Sequence, residues 1–315
     1  MKKIKQIVTI FATLALAVTA GLSFAGTKTK AAGSDEFTRT AIEIAADMGY
    51  GWNLGNTMEA TNTWTSNPKV TDFETAWGQP VTTKSMIDGI KKAGFNSIRI
   101  PVSWSNMMSS DGNYTIDASY FKRVDEIISY AFANDMYVII NDHYDGGWWE
   151  HFCGNKRDCM KHYKNMWTQV AGHYKDYSEK LIFESANEEL GDSLKKSLSK
   201  IDVNISDTAL YNLVNEINQT FVDIVRQSGG NNARRYLLIA GFNTDIDKTC
   251  SSLYEMPADT ISNHLMVSVH YYTPWTYVGL YKDEGYGYKA TWGTDSDKSE
   301  MAWNFAKMKK FTDAG

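Results

Sequence analysis

Two spacings of apolar residues alternate along the chain. Short, nearly unbroken apolar runs occur at Ser97–Val102, Tyr137–His143, Leu181–Glu184, Tyr236–Gly241 and Leu265–His270, with a shorter version at Gly51–Asn56. Runs of this length read as strands buried on both faces of a parallel sheet. Between them, apolar positions fall three and four apart. Met86, Ile87 and Ile90 mark a helix over 83–93 that Gly94 stops, and Phe121, Val124, Ile127, Ile128 and Ala131 mark another. Further helices are expected over about 160–177, 208–226 (ended by Gly229-Gly230) and 299–313.

Strands alternating with helices imply βαβ units and a parallel sheet, without internal repeat or linker. Six strands fall short of a closed (β/α)8 TIM barrel, and an open parallel sheet leaves apolar edges to water. The expected fold is therefore an incomplete (β/α)8 barrel, about six of eight strands, cut short near Gly315. A six-stranded doubly wound sheet is the alternative, but the Gly-rich phosphate loop after its first strand is missing.

The first 25 residues depart from this pattern. Lys2, Lys3 and Lys5 precede an apolar core from Ile7 to Val18, then small residues with Ser23 and Ala25 spaced for cleavage. This is the form of a secretory signal, and the core is shorter than the ~20 residues of a membrane span. We expect a signal peptide over 1–25, an unstructured leader over 26–36 and one barrel over 37–315, secreted and without membrane association after cleavage.

Composition narrows the partners. The net charge is −5 with the basic leader included, which argues against nucleic acid or an anionic surface. Of three cysteines, Cys153 and Cys159 are close enough in sequence to close a small disulfide in an oxidising compartment, leaving Cys250 free. Their spacing does not make a zinc site, and no cofactor is expected. Aromatic residues make up 13% of the chain, and Trp64, Trp148, Trp149, Trp275 and Trp292 fall in loop-like stretches. There they either stack on sugar rings or pack loops together.

Polar groups collect at the C-terminal ends of different strands: Asn53, Arg99, His143, Asn187, Glu188, His270 and Tyr272. In a barrel these ends share one mouth. Glu188 is the strongest candidate for proton transfer, and burial among apolar groups is expected to lift its pKa toward neutrality for that work. Glu184, four residues earlier on the same face, should lie deeper and pair with Arg99.

These motifs together resemble glycoside hydrolase family 5. They are Gly51-Trp52-Asn53-Leu54-Gly55-Asn56-Thr57, Ala76-Trp77-Gly78-Gln79-Pro80, Gly94-Phe95-Asn96-Ser97-Ile98-Arg99-Ile100-Pro101-Val102, Asn187-Glu188 and His270-Tyr271-Tyr272. The resemblance implies a retaining endo-β-1,4-glucanase, monomeric when complete, whose substrate is cellulose or a related β-glucan. It makes Glu188 the general acid/base, with Asn187 touching the sugar at the cleavage subsite. Arg99 would orient the nucleophilic carboxylate, His270 and Tyr272 would position the carboxylates, and His143 would line the subsite. Asn53, Trp148 and Trp275 are the remaining sugar-contact candidates. The family's nucleophilic Glu belongs on a seventh strand and is not in this chain, so the fragment is expected to be inactive and poorly soluble. Two departures stand out: Glu189 where the family usually has proline, which bears on loop shape, and His143-Tyr144 where it often has His-His.

Two rival readings carry different expectations. A non-catalytic barrel that binds glucan on an aromatic strip has no need of Asn187-Glu188. A metal-dependent hydrolase using Asp142, His143 and His270 lacks the paired histidines such barrels place on one strand.

Overall fold

The computed structural model describes residues 36–145, 147–196, 203–285 and 287–314. The expected signal peptide and nearly all of the leader lie outside the described residues. Six strands form one sheet: β1 (Gly51–Asn53), β2 (Ser97–Ile100), β3 (Tyr137–Asn141), β4 (Leu181–Glu184), β5 (Leu237–Ala240) and β6 (Leu265–Ser268). Each pairs in parallel with the next, in the order β1-β2-β3-β4-β5-β6. This is the α/β half-barrel that the alternation of periods implies. β4 ends where its apolar run does, and the other five strands end one to three residues before theirs.

Helices follow the strands at Lys84–Lys92, Ala118–Phe132, Lys156–Tyr174, Asp207–Gln227 and Asp295–Asp313. Their ends have local causes. Thr83 accepts the Met86 amide at the first of these helices, and Gly94 beyond its end takes φ +98, a conformation that disfavours any residue with a Cβ. The helices bury Val124, Ile127, Trp167, Val214 and Phe221 against the outward residues Val138, Ile140, Phe183 and Ile239 in one continuous core. Each fully buried aliphatic or aromatic side chain contributes about 1.5–3 kcal/mol.

A second, smaller core fills the base of the concave face. Phe37, Ala41 and Ile44 pack there on Tyr137, Ile139, Ile182 and Tyr236. Ala41 and Ile44 belong to a helix, Ala41–Met48, opened by a capping box in which Thr40 and Glu43 satisfy each other's backbone amides. Arg39 ties the plug down by donating to Asp47, Tyr137 and Glu179. Nearby Arg235, fully buried, donates to the carbonyls of Tyr174, Tyr177, Ser178 and Leu181 and to the Asn232 side chain.

Cys153 and Cys159 are both free thiols, so the expected loop disulfide is not formed. Cys159 sits at the start of the helix Lys156–Tyr174 and points its Sγ at the Trp148 carbonyl (3.5 Å), and the Cys153 amide is engaged by Leu194 O (2.9 Å).

Candidate active site

Strand register sets the first layer of the mouth. Asn53 lies opposite Arg99, and Asn141 opposite Glu184. Glu184 accepts from Arg99 Nε (2.6 Å), Asn141 Nδ2 (3.0 Å) and Ser268 Oγ (2.7 Å), and its side chain is 1% exposed. Arg99 also donates to Asn187 Oδ1 (3.0 Å) and, at 3.5 Å, to Asn53 Oδ1. Arg99 thus joins Asn53, Asn187 and Glu184 directly through its guanidinium.

The second layer lies above it. Leaving β4, the chain turns at Asn187 and presents Glu188 at the opening. His270 Nδ1 lies 2.6 Å from Glu188 Oε1, and the Tyr272 hydroxyl donates to the same oxygen at 3.0 Å. These partners come from the loop after β6, so the contact spans the concave face from the middle strand to the far edge. The Glu188 side chain is 45% exposed, and its pKa is lowered, chiefly by the His270 hydrogen bond, with burial opposing. The expected upward shift is therefore reversed. Apolar burial is only partial here, and two donors favour the carboxylate. His143 occupies the same opening, where burial and the Arg99 charge push its imidazole down to about 3.

These groups line a cleft of ≈1020 Å³ with Asn106, Tyr144, Asn243 and Lys248. Loop residues of this kind carried no periodic signal, and only Tyr144, adjacent to His143, was within reach of sequence reading. Asn53 lies outside the cleft, on the exposed β1 edge. Trp275 is 52% exposed and set edge-on to Tyr272 at 6.2 Å, beside the cleft. Trp148 is turned away from it: its Nε1 donates to Asp145 Oδ2 at 2.7 Å and its ring stacks on Trp149 and His162. As a sugar platform Trp148 is thus corrected to loop packing, since its ring stacks on Trp149 and His162, its N–H is engaged and it does not line the cleft.

Asp142 is buried, accepts from Trp149 Nε1 (2.9 Å), and is raised well above the usual carboxylate range by that burial and by Asp145. It faces the core rather than the cleft that His143 and His270 line. Among the described residues no helix is long and apolar enough to cross a membrane.

A parallel α/β half-barrel with a carboxylate, imidazoles, an arginine and a phenol gathered at its strand mouths has the architecture of a barrel hydrolase. The family profile described as cellulase (glycosyl hydrolase family 5) matches residues 58–315. Endoglucanase A of Paenibacillus barcinonensis is 40% identical over 281 residues, covering 84% of this chain and 66% of that protein. A xyloglucan-specific endo-beta-1,4-glucanase of Bacteroides ovatus is 34% identical, covering 81% and 49%. The lichenase of Caldicellulosiruptor sp. F32, solved with cellotetraose, superposes with a TM-score of 0.76 at 35% identity, covering 89% of this chain and 76% of that one. The chain belongs to glycosyl hydrolase family 5, the cellulase family. It spans about half to two thirds of the length of these curated relatives.

Proposed function

We propose that the protein containing this chain is a secreted endo-β-1,4-glucanase that cleaves β-glucan with retention, Glu188 serving as general acid/base. The observation that carries the reading is the Glu188 carboxyl at the β4 mouth, bridged to His270 and Tyr272 across an open cleft. Glycosidic cleavage needs a proton delivered to the departing oxygen and, in retaining enzymes, a second carboxyl group about 5–5.5 Å away. A second negative charge so close, with water displaced by sugar, would raise the Glu188 pKa from its lowered value and let it hold a proton.

Several other carboxylates near the mouth are already engaged. Glu184 is paired with Arg99, Glu59 accepts the Asn56 and Thr57 amides, Glu150 pairs with Lys196, and Glu189 accepts the Tyr144 amide. This supports the further proposal that residues 1–315 alone have at most trace activity, with the nucleophile supplied from elsewhere in the whole protein. Endoglucanase, lichenase and xyloglucanase relatives support β-1,4-linked glucan as the substrate class. The basic and apolar pattern of residues 1–25 supports secretion, and a mature protein in the medium beginning after Ala25 would bear that out.

The test is hydrolysis of a panel (soluble cellulose, mixed-linkage glucan, xyloglucan, mannan) by the whole protein and its Glu188→Gln variant. The variant should lose about 10²–10⁴-fold in kcat/KM on the preferred glucan. An unchanged rate removes Glu188 from its role. Full turnover by residues 1–315 alone overturns the proposal of inactivity.

A further inference from the structure

The two positions where the sequence departs from its family's usual pattern touch each other. Glu189, standing where proline is usual, turns back beneath the loop after β3, and its Oε1 accepts the backbone N–H of Tyr144 at 3.1 Å. Tyr144 stands where a second histidine is frequent. It lines the cleft with 54% of its surface exposed and meets Trp77 edge-on at 5.1 Å.

Two features show that this contact is held against a cost. Tyr144 has φ +49, a left-handed conformation that a bulky non-glycine residue adopts only when neighbours hold it there. On its other side, Ser103 Oγ adds a long 3.5 Å hydrogen bond to the Tyr144 carbonyl. Glu189, for its part, buries Oε2 without a hydrogen-bond partner among the described residues. Its charged neighbours, Glu188 and Asp142, are acidic, and burial raises its pKa while its own backbone amide, the Tyr144 amide and Asn187 oppose that rise. A carboxyl placed so uncomfortably is not needed to pack a turn, for which proline or an apolar residue would serve.

We propose that Glu189 is a positioning residue: by capturing the Tyr144 amide it links the loops after β3 and β4 and sets the Tyr144 ring, braced by Trp77, in the cleft that Glu188 also lines, so that the ring grips a sugar chain. The consequence for sugar binding rests on the glucan-cleaving reading; the anchoring of Tyr144 does not. The interaction needs an acceptor oxygen at this reach rather than a charge, so glutamine can replace glutamate and alanine cannot.

The test uses the whole protein, carrying Glu188→Gln so that cellotetraose is not cleaved, and two readouts: residue-resolved hydrogen exchange at the Tyr144 amide, and calorimetric affinity for cellotetraose. Glu189→Ala should speed Tyr144 exchange at least about tenfold and weaken cellotetraose about three- to tenfold, the range of one hydrogen bond. Glu189→Gln should stay within about twofold of the parent on both, a rescue that mere loss of packing would not produce. Should Glu189→Ala fail to fold, Glu189→Asp, one methylene too short to reach, is expected to show the same gain in exchange. Unchanged Tyr144 exchange in the shortened variant, or a Glu189→Gln chain as fast-exchanging as Glu189→Ala, overturns the proposal. If the parent chain binds no cellotetraose, the glucan reading fails and the exchange arm still decides the anchoring.

Discussion

Glu184 and Glu188 lie four residues apart at the end of one strand, yet they occupy opposite environments. Glu184, at the floor of the mouth, is enclosed by Arg99, Asn141 and Ser268, each oxygen answered by donors. Glu188, at the rim, has one oxygen answered by His270 and Tyr272 and the rest of its carboxyl open to the cleft. The floor carboxylate has no capacity left for a reactant, whereas the rim carboxylate does. Of two acids with the same side chain, neighbours hold one within the barrel and leave the other facing the cleft.

Removing each in turn should separate them most sharply. Glu184→Ala leaves the Arg99 guanidinium largely buried and unpaired, and is expected to lower unfolding stability by about 3–5 kcal/mol in chemical denaturation. Glu188→Gln should change stability by no more than about 1 kcal/mol, because its ion pair is half exposed. Equal losses would erase the distinction between floor and rim.

Acid should sharpen the comparison next, through His143 between the two layers. Its ring in the folded protein titrates near 3, below the ordinary value of about 6.5. Between those values the unfolded chain binds a proton that the folded one refuses, so stability should fall as pH drops through this window. His143→Gln should flatten that slope in denaturation midpoints measured against pH, and no ring titration should be seen above pH ~4. A His143 titration near pH 6.5 would contradict the buried placement.

The smallest expected effects are at the rim itself. Glu188 has a lowered pKa, so its contribution to stability is present above the ordinary carboxylate value and lost as pH falls through the lowered one. His270→Ala removes the largest cause and should move the Glu188 carboxyl titration upward, as followed by carbon NMR. Tyr272→Phe should move it in the same direction by less. A downward shift in either variant would mean that burial, rather than these donors, governs the group.

Most of this fold was legible because a parallel barrel writes its strands as apolar runs and its helices as stripes. The helix over 84–92 between Thr83 and Gly94 is one case. What escaped has physical reasons. The plug helix Ala41–Met48 buries only Ala41 and Ile44, too few for an apolar stripe, although the Thr40 and Glu43 capping pair was there to be read. At the site, strand-end residues such as Arg99 and His270 could be placed because register fixes them. Trp148 could not, since stacking on Trp149 and His162 depends on how a loop folds back. The direction of the Glu188 shift depended on His270, 82 positions away in sequence.

Arg235 stands just before β5, fully buried. Its planar fork collects carbonyls from the end of one helix and the start of β4, and its neighbour Tyr236 reaches the backbone of Arg39. Assembly is thus fastened at the pole opposite the cleft. The loops that line the cleft can therefore be rewritten without disturbing this rivet at the other pole.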